Sequence, residues 1–208
     1  MGSRVKAALL ANPDYDFIIT GHSLGAGVAC LLALKCEHEQ LVGSTTTVRC
    51  YSYASPPVFG PLENAPKKAV ANTINYINND DCVSFISGWN IRQMLACMQA
   101  VGKTVHWWSP NRILLATGLT KPSPELIDAV NKAAAQKFPD KKKVPQLFIP
   151  CSEVVWMRGG GYDHWSKYKA SIYDPKSLPG IFLDVDMIAN HFPPYYEDGF
   201  QSLTGKAK

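Results

Sequence analysis

Short apolar runs alternate with amphipathic stretches along the N-terminal part of the chain. Apolar runs bounded by turn residues are typical of buried strands, whereas apolar residues at helical spacing indicate helices. The pattern predicts strands at residues 15–20, 46–54 and 73–77, and helices at 4–12, 24–37 and 62–70. Because helices connect these strands, we expect the strands to be parallel.

The pattern changes after the third strand. Residues 84–143 are predicted to be mostly helical, and one helical face there carries an apolar stripe, namely Ile91, Met94, Leu95, Met98 and Val101. Three further strands are predicted at 146–149, 154–157 and 168–173, with a turn at the glycines that follow Arg158. The sequence therefore predicts one α/β domain over residues 1–208, with a mostly helical insertion at about 84–143.

Composition narrows the functional classes. The chain has 208 residues, of which 46% are hydrophobic, and its net charge of +4 is too small to indicate nucleic-acid binding. No stretch is long enough to span a bilayer, and the N-terminus does not resemble a secretory signal, so we expect a cytoplasmic protein that is soluble or peripheral to a membrane. The six cysteines form no Cys-x-x-Cys pair, so no metal is predicted, and reduced buried thiols are expected.

The motif Gly21-His22-Ser23-Leu24-Gly25 stands where the first strand meets the second helix. A Gly-x-Ser-x-Gly turn between a strand and a helix is the context of the nucleophile elbow in serine hydrolases. Small residues on both sides of the serine are expected to let the strand and helix approach each other in a strained turn. We predict Ser23 as the nucleophile and the Leu24 backbone N–H as a donor to the oxyanion.

A serine nucleophile needs a histidine base and a carboxylate that orients it, in the chain order serine, acid, histidine. Asp80 and Asp81 follow the third strand, and the residues alone do not separate them. His191 lies on a loop after the apolar run 181–187, and His164, beside the glycine turn, is the competing base. His22 would face away in a normal elbow, which indicates a structural role.

The chain resembles the class 3, or fungal-type, lipases, and its spacing is most similar to the diacylglycerol-lipase-like branch. Residues 18–29 carry the elbow motif of that family, and Tyr53-Ala54-Ser55-Pro56-Pro57 is similar to its Phe/Tyr-Ala-x-Pro-Pro motif. The resemblance covers nearly the whole chain and implies an α/β-hydrolase fold that needs no cofactor.

The resemblance also selects among the candidate residues. The family's acid stands in Asp-x-Val-Pro, which Asp81 matches apart from Ser84 in place of the proline. Its histidine stands in Asp-His-x-Pro, which His191 matches apart from Asn190 in place of the acid. The implied triad is Ser23, Asp81 and His191, although the aspartate before His164 keeps that histidine as an alternative.

In the family, several strands precede the elbow, and a loop there supplies an oxyanion donor. Only about 20 residues precede Ser23 here, so the resemblance implies an N-terminally truncated hydrolase with Leu24 N–H as its recognisable donor. The functional prediction is a lipase that cleaves acylglycerols through an acyl-enzyme and contacts a membrane or lipid droplet. The alternative is a truncated or degenerate hydrolase fold that acts as a non-catalytic interaction module.

The apolar stripe on residues 91–101 has three possible roles. It would pack in a core, cover an acyl-chain site or contact lipid.

Overall fold

A computed structural model of the chain describes residues 3–43, 46–105, 109–110, 120–135, 145–159, 167–181 and 186–205. The chain divides into two compact units. The first comprises residues 1–87 and 146–208, and the second comprises residues 88–145. The organisation as one domain with a helical insertion stays a prediction.

The first unit contains a five-stranded sheet whose strands lie in the order of the sequence. They are β1 (Phe17–His22), β2 (Val48–Tyr53), β3 (Thr73–Asn78), β4 (Glu153–Arg158) and β5 (Lys169–Tyr173). Strands β1 to β4 are mutually parallel, and β5 is antiparallel to β4. The predicted α/β architecture with a mostly parallel sheet is therefore confirmed.

Six α-helices lie within the described residues. They are α1 (Ser3–Ala11), α2 (Leu24–His38), α3 (Lys67–Ala71), α4 (Gly88–Thr104), α5 (Pro124–Ala134) and α6 (Pro193–Thr204). Helices α4 and α5 belong to the second unit, and the others belong to the first. In the described parts of the chain, no helix combines the length and the hydrophobicity that crossing a membrane requires.

Helix α2 packs on the sheet through small side chains. Its buried face consists of Ala26, Gly27, Ala29, Cys30, Ala33, Leu34 and Cys36. Several of these residues join the core formed by Ile19, Cys50, Ile77, Val154 and Trp156. The larger side chains of Leu24, Val28 and Leu31 are exposed on the other side of the helix. Small residues on the buried face bring the helix backbone close to the sheet.

Two predicted elements are wrong. The helix expected at 62–70 is divided into a 3₁₀ turn (Leu62–Asn64) and α3, because Pro66 stands at the junction. Residues 146–149 form no strand beyond an isolated antiparallel bridge between Phe148 and Phe59. Prolines follow both partners closely, at Pro61 and Pro150. Because proline has no N–H to donate, a longer ladder cannot form.

The elbow strand β1 lies at one end of the sheet that the structure describes, where it pairs with β2. Few residues precede the elbow in this sequence, and the described sheet has no strand before β1. In the second unit, α4 exposes Ile91, Leu95 and Met98. The interpretation of the 91–101 stripe as packed core is therefore wrong for these three side chains.

Candidate active site

Ser23 is the single residue between the end of β1 and the start of α2. Its backbone has φ 59° and ψ −131°, a conformation that costs a non-glycine residue on the order of 1–3 kcal/mol. The Ser23 N–H donates to the carbonyl of Tyr53 (2.9 Å), and the Ser23 carbonyl accepts from Ala26 N–H (2.9 Å). Hydrogen bonds from β2 and α2 thus hold the strained turn.

The two motif glycines have different roles. A Cβ atom on Gly21 would lie 2.3 Å from the carbonyl oxygen of Gly25 and 2.8 Å from the backbone nitrogen of Ala26. Gly21 is therefore needed for the strand to pass close to the helix. A Cβ atom on Gly25 would meet nothing within 4 Å. The prediction that close approach requires glycine is therefore right for Gly21 and wrong for Gly25. At Gly25 it is the backbone, and not a missing side chain, that lies close to Gly21.

The structure brings the three predicted site residues together. Ser23 Oγ lies 2.8 Å from Nε2 of His191, which is in the 3₁₀ turn Ala189–His191. Nδ1 of His191 lies 3.0 and 3.1 Å from the two carboxylate oxygens of Asp81. A carboxylate only accepts hydrogen bonds, so Nδ1 carries the hydrogen and Nε2 is free to accept from the Ser23 hydroxyl.

Asp81 is completely buried and has two further donors. The Tyr196 hydroxyl donates to Oδ2 at 2.7 Å, and the Val83 N–H donates to Oδ1 at 2.9 Å. Burial, and then the neighbouring Asp81 carboxylate, raise the pKa of Tyr196 well above its ordinary value. The phenol therefore stays protonated and donates to the carboxylate.

The topology explains how distant residues meet. Because β1 and β3 run in the same direction, Ser23 and Asp81 emerge at the same edge of the sheet. Ser23, Ala54 and Asn79 directly follow β1, β2 and β3. All three residues have a positive φ angle. Sharp turns at one sheet edge direct the chain around a common site.

A donor to a developing oxyanion is available at the same turn. Leu24 is the first residue of α2, and the first N–H groups of a helix have no partner within the helix. The helix terminus also carries partial positive charge. These features suit the Leu24 N–H to an oxyanion formed beside Ser23.

Three contacts at the site were missed by the sequence analysis. Tyr196 contacts Asp81, as described above. His22 was expected to face away, yet its Nε2 lies 2.8 Å from the carbonyl oxygen of His191. Asn78 Nδ2 donates to the carbonyl of Asn190 at 3.2 Å.

The alternative base, His164, lies outside the described residues. Within the described residues, no group of three or more His, Cys, Asp or Glu is arranged to hold a metal ion.

The first part of the chain is similar to a known protein family. Residues 1–91 match the family model for Lipase (class 3). The resemblance to the class 3 lipases is confirmed for these residues. The matched region includes Ser23 and Asp81, and His191 lies beyond it. The matched family, the elbow and the mostly parallel sheet agree with the predicted α/β-hydrolase fold.

Individual relatives are distant. The chain is 28% identical over 115 residues to the secreted mono- and diacylglycerol lipase A of Penicillium cyclopium and to that of Penicillium camembertii. The similarity covers 54% of this chain and 34% of each relative, so the chain spans about a third of their length. A crystal structure of a mutant form of MDLA from Penicillium cyclopium is 27% identical, covers 42% of this chain and 31% of that chain, and has a TM-score of 0.35.

Proposed function

We propose that this chain is a serine carboxylic-ester hydrolase that cleaves acylglycerols. The observation that carries the proposal is the line of hydrogen bonds from Ser23 Oγ through His191 to the buried Asp81. A serine hydroxyl is a weak nucleophile unless a base is in contact with it and a third group orients that base. The match to Lipase (class 3) supports a lipase-type hydrolase at the level of the family.

In the first half-reaction, Ser23 Oγ attacks the ester carbonyl carbon while its proton passes to Nε2 of His191. Asp81 holds the imidazole in the correct orientation and stabilises the positive charge that forms on it. The carbonyl oxygen becomes an oxyanion next to the Leu24 N–H. When the intermediate collapses, the ester C–O bond breaks, and the leaving alcohol takes the proton from His191.

The second half-reaction releases the acid. Water attacks the acyl-enzyme carbonyl carbon while His191 takes a proton from the water. The second intermediate then expels Ser23 Oγ, which recovers the proton from His191 and leaves a free carboxylic acid. No step requires a metal or an organic cofactor. Removal of one oxyanion donor costs on the order of 10²–10³-fold in rate, so the Leu24 N–H carries a large share of the catalysis.

We propose acylglycerols as the substrate class because of the relatives that this chain is similar to. The similar Penicillium proteins are named as mono- and diacylglycerol lipases. Contact with a lipid surface is part of the proposal, and it has support in the second unit. There, α4 exposes Ile91, Leu95 and Met98, which recur at the spacing of one helical face. An apolar helical face of this kind is suited to partial burial in a lipid interface.

Hydrolysis by the purified chain tests the proposal. We expect release of fatty acid from monoacylglycerol and diacylglycerol emulsions, and turnover of a short-chain nitrophenyl ester. Ser23→Ala should abolish both activities while its circular dichroism and melting temperature remain those of the unmodified chain. A folded chain that hydrolyses neither substrate would favour the non-catalytic interaction module. Unchanged turnover by Ser23→Ala would refute the mechanism.

A further inference from the structure

The imidazole of His22 faces the site from the last position of β1. Its Nε2 lies 2.8 Å from the carbonyl oxygen of His191. Since a carbonyl oxygen only accepts, His22 Nε2 carries a hydrogen and donates it. The two imidazole rings lie with their centroids 4.7 Å apart and their planes tilted by 32°. His22 thus contacts both the main chain and the ring of the proposed base.

Neighbouring groups fix the position of His22. The rings of Tyr196 and His22 form a T-shaped contact with a centroid distance of 5.8 Å. Tyr196 is the same residue that donates to Asp81. His22 therefore contacts both Tyr196, which donates to the acid, and His191, the proposed base.

A second strand-end side chain acts on the adjacent carbonyl. Asn78, the last residue of β3, is buried and donates from Nδ2 to the carbonyl of Asn190. The two consecutive carbonyls of residues 190 and 191 are thus hydrogen-bonded to the ends of β1 and β3. These are the strands that lead directly to Ser23 and Asp81.

We propose that His22 is a positioning residue, which holds the backbone of His191 so that its Nε2 stays in hydrogen-bond contact with Ser23 Oγ. The inference rests on the proposed function, because positioning has a catalytic effect only if His191 is the base. His191 is in a short 3₁₀ turn, and the hydrogen-bond geometry of such a turn is poorer than that of an α-helix. A side chain at a strand end transfers the rigidity of the sheet to that turn.

Two variants separate the hydrogen bond from simple packing. His22→Leu removes the donor and keeps an apolar side chain in the position. His22→Gln keeps an N–H donor that corresponds to Nε2 of the imidazole. His38→Leu is the matched control, because His38 is an exposed histidine at the far end of α2.

We expect His22→Leu to lower kcat for a nitrophenyl ester by roughly 10- to 100-fold, the range that misplacement of a catalytic group produces. KM should stay within about twofold, because uniform binding of substrate is unchanged. His22→Gln should recover most of the lost kcat, and His38→Leu should match the unmodified chain. Full kcat in His22→Leu, or equal losses in His22→Leu and His22→Gln, would overturn the inference.

A second readout does not depend on turnover. The His191 Nδ1 hydrogen that Asp81 accepts should give a downfield proton resonance in the NMR spectrum of the unmodified chain. If His22 positions His191, that resonance broadens or disappears in His22→Leu and persists in His22→Gln and His38→Leu. A sharp, unshifted resonance in His22→Leu would overturn the inference. Failure of the proposed function is distinguished by a lack of ester hydrolysis in the unmodified chain itself.

Discussion

The Tyr196 hydroxyl is one of three donors to a carboxylate that has no access to solvent. Tyr196→Phe removes this donor and leaves the aromatic ring, which packs beside His22 and Tyr53. Among the described residues, the Asp81 oxygens would keep the His191 Nδ1–H and the Val83 N–H as donors. Tyr196 itself is 4% exposed, so water does not readily replace the lost hydroxyl.

The expected cost follows from the charge of the acceptor. A hydrogen bond to a charged group contributes about 1.5–3 kcal/mol to stability. We expect the free energy of unfolding of Tyr196→Phe to fall by about 2 kcal/mol, which corresponds to about 4–8 °C in melting temperature for a chain of this size. Because Asp81 orients His191, kcat should also fall, by roughly 10-fold.

Thermal denaturation followed by circular dichroism, together with ester hydrolysis, measures both effects. Tyr195→Phe is the matched control, since it deletes the same hydroxyl from the preceding and less buried position of α6. We expect its melting temperature and kcat to be close to those of the unmodified chain. A Tyr196→Phe variant that keeps both values would refute the conclusion that the phenol holds the buried carboxylate.

Two paired substitutions test the elbow and the acid. Gly21→Ala should destabilise the fold by about 1–3 kcal/mol or more, because its Cβ would overlap backbone atoms of α2, whereas Gly25→Ala should change the free energy of unfolding by less than about 0.5 kcal/mol; equal melting temperatures would contradict the geometry of the turn. Asp81→Asn should lower kcat by on the order of 10⁴-fold, because an amide fixes the wrong tautomer of the histidine. Asp80→Asn should retain most activity, and equal losses in the two variants would show that the acid is wrongly assigned.

Local patterns made the elbow predictable. Ser23 and its flanking glycines are adjacent in sequence, and a buried strand followed by a helix rich in small residues has a clear pattern. The acid was harder, because Asp80 and Asp81 both follow β3 and only the likeness to a family motif favoured Asp81. In the structure, Asp81 has its carboxylate against the imidazole of His191.

Contacts between distant segments could not be predicted from the sequence pattern. Ser23 and His191 are separated by 168 positions, and Asp81 and Tyr196 by 115. Chain order indicates a later histidine, but nothing in the pattern marks Tyr196 as a donor or His22 as a contact of His191. Those roles depend on how α6 and the 3₁₀ turn fold back onto the sheet edge. The strand prediction at 146–149 was wrong for a different reason. Apolar residues are also buried in loops, and proline limits strand pairing there.

The central claim is that Ser23 is a nucleophile activated by His191. A fluorophosphonate probe reacts covalently with an activated serine, and intact mass followed by peptide mapping locates the adduct. We predict one adduct per chain on Ser23, with labelling abolished in Ser23→Ala and greatly slowed in His191→Ala. A folded, unmodified chain that remains unlabelled, an adduct on another residue, or equal labelling rates in the unmodified chain and His191→Ala would contradict the claim.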